Sequence, residues 1–187
     1  MTEFGYLSVL LSIILGLAVT QILQGWRARM IYRTRVRPFW PAEVWSLLIL
    51  LICTQMWWAM FELRDMHDWT YSQFAILLWQ TIFIYLASAL IYPDFWAHET
   101  VDLREYYFSQ APYFFGSLCL VVVSSLIRNY LLTQSSSHGA DLGFHLFFLA
   151  SGATGIFIKR EGYHQLLAVL VTAMFVAYVM TLFAHLH

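Results

Sequence analysis

The sequence predicts an all-α fold, an integral membrane bundle of six transmembrane helices with the N-terminus and the C-terminus on the outer side. Three observations carry that expectation: composition, the spacing of apolar windows, and one basic stretch. Hydrophobic residues make up 60% of the 187 residues and charged residues 11%, with a mean hydropathy of +0.65. An ordinary soluble domain is roughly 45–50% apolar and ~25% charged. A chain this short buries only about 70% of its unfolded surface, so in water it would leave large apolar patches exposed. Lipid is the fitting solvent.

Windows of about 17–25 mostly apolar residues mark spanning helices, and six occur, at 5–24, 42–61, 72–92, 112–132, 142–158 and 163–184. The first is followed by its arginines and has no basic residue ahead of it, the reverse of a cleaved signal peptide. The stretch QGWRARMIYRTRVRPFWP between the first two windows holds Arg27, Arg29, Arg33, Arg35 and Arg37, five of the ten basic residues, and no acid. Short loops rich in Lys and Arg stay on the cytoplasmic side. With that loop inside, Arg104, Lys159 and Arg160 fall on the same side and Arg64 alone falls outside. The run is therefore a topological anchor. A loop tethered at both ends, with no domain around it, is poorly shaped to bind nucleic acid.

The whole chain, 1–187, reads as a single transmembrane domain. Its longest connection, 93–111, places Trp96, Leu103 and Tyr107 at helical spacing opposite Glu99, Asp102 and Glu105, so an amphipathic segment is expected at the inner surface over about 94–108. Three crossings on either side of this connection permit an inverted repeat, although the halves share no motif. Nine arginines against one lysine, and no N-x-[ST] sequon, fit a bacterial inner membrane. Cys53 and Cys119 lie in spans and form no C-x-x-C pair.

Several stretches are candidates for function. In the first span Ser8, Ser12, Gly16 and Thr20 recur every four residues, the pattern of a helix-packing seam; Ser151 and Gly155 form a weaker one in the fifth. Polar groups deep in lipid need partners or water. Gln55, Gln80 and Thr81, with Ser12 and Thr20, would supply a polar path through the first three helices. The two amides could instead clasp each other. Arg128, near the outer end of the fourth span, either snorkels to the headgroups or turns inward to an acid at that depth, with Glu62 the first choice and Asp65 and Asp141 next. The residues Asp94, His98 and Asp102 are weak candidates for a metal site, since H-E-x-x-D lacks the second histidine of a zincin. His145 and His185 are poorly matched in depth for haem, and no cofactor is expected.

Two function classes follow from these residues. The first is a small transporter or channel using the polar path. The second is a non-transporting scaffold or regulatory subunit that assembles with itself or with another membrane protein. Enzyme chemistry ranks behind both. The lipid bilayer is the one partner the composition itself requires.

Overall fold

Six helices form where the apolar windows lie: α1 (Glu3–Ile31), α2 (Trp40–Phe61), α3 (Tyr71–Ala89), α4 (Leu103–Thr133), α5 (Ala140–Phe157) and α6 (Glu161–Leu182). Two short strands, β1 (Val36–Arg37) and β2 (Val101–Asp102), are the other elements among the described residues. The structure is a computed structural model, and it describes residues 3–61, 63–64, 66, 68–94, 100–133 and 140–182. α1, α2, α3, α4 and α6 are each long and apolar enough to cross a membrane, while the apolar helix over Asp141–Phe157 is shorter. The protein is a multi-spanning membrane protein.

Neighbouring helices close a ring in the order α1, α3, α4, α5, α6, α2 and back to α1, with α2 also touching α3 across it. Each helix buries one face at a spacing of three and four residues. α1 buries Leu11, Leu15, Ala18 and Ile22, and α6 buries His164, Leu167, Val171, Phe175 and Tyr178. The opposite faces are apolar as well: Leu17 and Leu23 on α1, Leu47 and Leu51 on α2, and Val169, Leu170 and Val176 on α6 are exposed. A helix apolar all round needs an apolar surrounding, and that is what makes lipid the medium.

α1 and α4 outrun their windows. At 29 and 31 residues they are about 43 and 46 Å long, against a hydrocarbon core of about 30 Å. Part of the arginine run therefore lies on the last turns of α1 itself. α4 begins nine residues before Pro112, which sits inside the helix. Proline is a natural first-turn residue, but here it lies in the third turn of α4. Within a membrane helix its missing donor is tolerated, because neighbouring helices hold the backbone in place.

The expected amphipathic segment over 94–108 is divided. Residues 95–99 lie outside the described residues. Val101 and Asp102 pair in parallel with Val36 and Arg37, and residues from Leu103 onward belong to α4. Asp102 Oδ1 accepts from the backbone N–H groups of Arg104 and Glu105 at 2.9 and 3.3 Å, capping α4. The Val101 N–H donates to the Arg35 carbonyl. The arginine loop and the central connection are thus joined at one end of the bundle, which we call the arginine end. Arg29–Glu43, Arg37–Asp102 and Arg104–Glu161 ion pairs lie there too.

The stripe of Ser8, Ser12, Gly16 and Thr20 is not the face on which α1 packs. Gly16 and Thr20 are exposed, and a Cβ added at Gly16 would meet nothing within 4 Å. Ser8 and Thr20 donate to carbonyls of their own helix, Gly5 and Gly16, so neither needs a partner across a contact. On α1 the glycine in close contact is Gly25, against the Tyr92 ring, and a further close approach joins α4 and α5. A Cβ on Gly152 would lie 2.5 Å from Cys119 Sγ, and one on Gly155 would lie 2.8 Å from the Phe115 ring. Gly155 belongs to this seam as expected, but its companion is Gly152, and Ser151 faces the interior.

Candidate functional site

Inside the ring lies a cavity of about 110 Å³ bounded by α2, α3, α4, α5 and α6. Leu48, Met56, Phe115, Val121 and Phe175 make most of its wall apolar, and six polar side chains reach it: Gln55, Gln80, Ser125, His145, Ser151 and Tyr178. A water needs about 10–15 Å³ of such space, so the cavity has room for several waters or for part of a small molecule.

Ser125 and His145 on the cavity wall belong to a closed ring of polar groups that also takes in Arg128, Asn129 and Asp141. On α4, Ser125, Arg128 and Asn129 share a face because they are three and four residues apart. On α5, Asp141 and His145 do the same. His145 Nδ1 lies 2.7 Å from the Asp141 carbonyl and 3.3 Å from Asp141 Oδ1. Both are acceptors, so Nδ1 carries the proton and Nε2 is left to accept. Nε2 is 3.1 Å from Ser125 Oγ. Arg128 Nη2 donates to the same Oγ at 3.4 Å, so the serine hydrogen is free to donate to His145. Arg128 also donates to Asn129 Oδ1 at 3.1 Å and to Gln80 Oε1 at 3.4 Å. Asn129 Nδ2 closes the ring on Asp141 Oδ2 at 3.4 Å. Among the described residues, one guanidinium and one carboxylate balance each other in the ring, which is the form a low-dielectric interior tolerates.

Arg128 therefore turns inward, and Asp141 is reached through Asn129. Glu62 and Asp65, also proposed as its acids, lie outside the described residues. Gln80 stands at the middle of α3 and is 4% exposed. Its oxygen is taken by Arg128 rather than by Gln55, because a cationic donor is the stronger one. The Gln55 amide forms no hydrogen bond among the described residues, so the two glutamines do not clasp.

The path through the first three helices does not form. Thr20 is exposed, and Ser12 lines a groove on the surface with Phe4, Ser8, Trp57 and Trp58. Thr81 is buried but bonds the Leu78 carbonyl of its own helix and is absent from the cavity wall. Of the five, only Gln55 and Gln80 reach the cavity, which belongs to α2–α6. Among the metal candidates, His98 lies outside the described residues and Asp102 is spent on capping α4. No three His, Cys, Asp or Glu side chains gather as a metal-binding group among the described residues.

Sequence reasoning missed Ser125, Asn129 and Tyr178, and it weighed His145 only as a haem ligand. The spacings S-x-x-R-N and D-x-x-x-H were available signals, each placing its members on one helical face. A second histidine, His164, is fully buried near the arginine end. The Tyr107 hydroxyl donates to its Nδ1 at 2.9 Å and its Nε2 donates to the Ile158 carbonyl at 2.6 Å. Both ring nitrogens are satisfied, and the rings of Phe108, Phe115 and Tyr163 enclose it, which marks it as structural.

Comparison of the chain with protein-family models, with curated proteins and with solved structures returns no match.

Proposed function

We propose that this protein takes up an amphiphilic molecule, with an apolar body and one polar group, from the bilayer into the cavity between α2 and α6. The observation that carries the reading is the position of Gln55. Its amide has no hydrogen-bond partner among the described residues, and it lines both the interior cavity and an outward groove formed by Leu51, Thr54, Trp58, Val176, Val179 and Met180. Phe175 is the other residue common to both. An unmet amide in an apolar setting is unfavourable by about 1–3 kcal/mol, and a ligand's polar group would satisfy it.

Within transport, the class first expected, this makes the protein a carrier of lipophilic cargo rather than an ion channel, since the wall is largely apolar and no Asp, Glu, Lys or Arg lines it. The membrane placement belongs to the same reading. α5 has 18 residues and is about 27 Å long, close to the hydrocarbon thickness, which makes six crossings. The arginine end faces the cytoplasm, both termini face out, and the bacterial inner membrane is the host.

A fatty acid carrying a diazirine in its chain and an alkyne at its end, photolysed in proteoliposomes, tests the uptake. Adducts are expected on interior residues such as Met56, Leu118 and Val171, and Gln55→Leu is expected to reduce them several-fold. Adducts confined to outward residues such as Leu51, Val176 and Met180 would overturn the reading.

A further inference from the structure

The cavity holds more than a polar binding patch, because two groups on its wall and a third beside them stand in the order that acyl transfer requires. Asp141 Oδ1 and the Asp141 carbonyl hold the proton of His145 on Nδ1. His145 Nε2 is thereby fixed as the acceptor and lies 3.1 Å from Ser125 Oγ. A hydroxyl is a weak nucleophile until a base within hydrogen-bond reach takes its proton, and the base works only in the right tautomer. Both conditions are met. Ser125 and His145 line the cavity, so a substrate there would have the hydroxyl before it. His145 is 4% and Ser125 8% exposed, whereas the Asp141 side chain is 24% exposed and lies in the first turn of α5, and the end of a spanning helix is where water reaches.

We infer that Ser125, His145 and Asp141 form a nucleophile, base and orienting acid for cleavage of an ester with an apolar acyl chain. This rests on the reading that the cavity admits an amphiphile from the bilayer. Ser125 Oγ attacks the acyl carbon as its proton passes to His145 Nε2. The C–O bond to the alcohol breaks, the imidazolium returns the proton to that alcohol, and the acyl group stays on Ser125. A water then attacks the acyl-serine, again giving its proton to His145. The acyl–Oγ bond breaks, the proton returns to Oγ, and a carboxylic acid leaves. Asp141 stays ionised throughout and stabilises the imidazolium. The oxyanion of each tetrahedral intermediate forms beside Oγ, where the Arg128 guanidinium lies 3.4 Å away. Gln80, whose oxygen is held by Arg128, keeps its NH₂ as a further donor on the same wall. Preorganised donors of this kind are the main source of rate in acyl transfer.

A dodecyl fluorophosphonate bearing a fluorophore, applied to the full chain in nanodiscs, separates the outcomes. The expected result is one adduct per chain, mapped by mass spectrometry to Ser125, with its phosphonyl group replacing the serine hydrogen as fluoride leaves. Ser125→Ala should abolish it, and His145→Gln should slow it by on the order of 10³-fold or more. Asp141→Asn should slow it as well. Each variant is first checked for an unchanged melting temperature. Should Ser125→Ala fail to fold, wild-type labelling competed by the dodecanoyl ester of p-nitrophenol, with release of p-nitrophenolate, still decides. Labelling elsewhere, or labelling indifferent to His145→Gln in a folded protein, would overturn the chemistry. No labelling alongside diazirine adducts inside the cavity would overturn the chemistry and leave the uptake standing. Failure of both would remove both.

Discussion

Arg128 shows what a planar, multiply donating cation does that a point charge cannot. Its guanidinium spreads between Gln80 on α3 and Ser125 and Asn129 on α4, and through Asn129 it is linked to Asp141 on α5. A lysine ammonium occupies one point and cannot fan across those acceptors. We expect Arg128→Lys to lower unfolding stability by about 1–3 kcal/mol, the scale of hydrogen bonds to a charged group, measured by thermal melting in detergent. Arg128→Leu should be worse, since it leaves the Asp141 charge without its balance. A melting temperature unmoved by Lys would mean the guanidinium reaches the headgroups instead. That Arg128 either turns inward or snorkels was legible from its place inside a span, and so was Asp141 as an acid at its depth. That Ser125 and His145 complete the arrangement was not. Their meeting depends on the rotation of α5 about its own axis against α4, and the apolar pattern of a lipid-facing helix does not record that rotation, because every face is apolar.

The same loss of pattern decides what was legible at the level of elements. Helix existence followed from window length alone and came out at every window. Packing faces did not, and the small-residue stripe on α1 misled because serine, glycine and threonine also occur where a helix merely satisfies its own carbonyls. The glycines on α5 are different in kind. Phe115 is fully buried among Trp45, Tyr107 and Phe114, so it cannot yield to a methyl group on Gly155. Gly155→Ala is expected to destabilise by about 1–3 kcal/mol, the usual effect of overpacking. Gly16→Ala should be neutral or stabilising by up to ~1 kcal/mol, since alanine is the better helix former and nothing stands in its way. Melting of the two variants side by side checks the assignment, and the reverse order would return the seam to α1.

For the molecule as a whole, the basic residues forecast in the sequence which loops share a side, and the strand pairing and ion pairs bring those loops together at one end. The absolute orientation is open to a direct measurement. In a background with Cys53 and Cys119 replaced by alanine, Ser72→Cys should react in intact cells with a membrane-impermeant maleimide, and Thr34→Cys should react only after permeabilisation. The opposite pattern would invert the protein. The two positions are exposed and lie at opposite ends, so neither result can be blamed on burial.

The pairing of Val36–Arg37 with Val101–Asp102 has a mechanical consequence. It fastens the connection following α1 to the connection preceding α4, and the Arg29–Glu43 and Arg104–Glu161 pairs lie at the same end. Toward the other end the contacts between helices include long hydrogen bonds of 3.3–3.4 Å, from Gln73 to the Leu131 carbonyl and from Arg128 to Gln80. A body fastened at its base and loosely tied at its tip deforms as tongs do, with small rotations at the pivot becoming larger separations at the jaws. The helices would then part most along the groove of Trp58, Val179 and Met180, at the far ends of α2 and α6, and least among the arginines. On the proposed orientation and function, cargo would enter near the outer leaflet while the arginine end stayed shut.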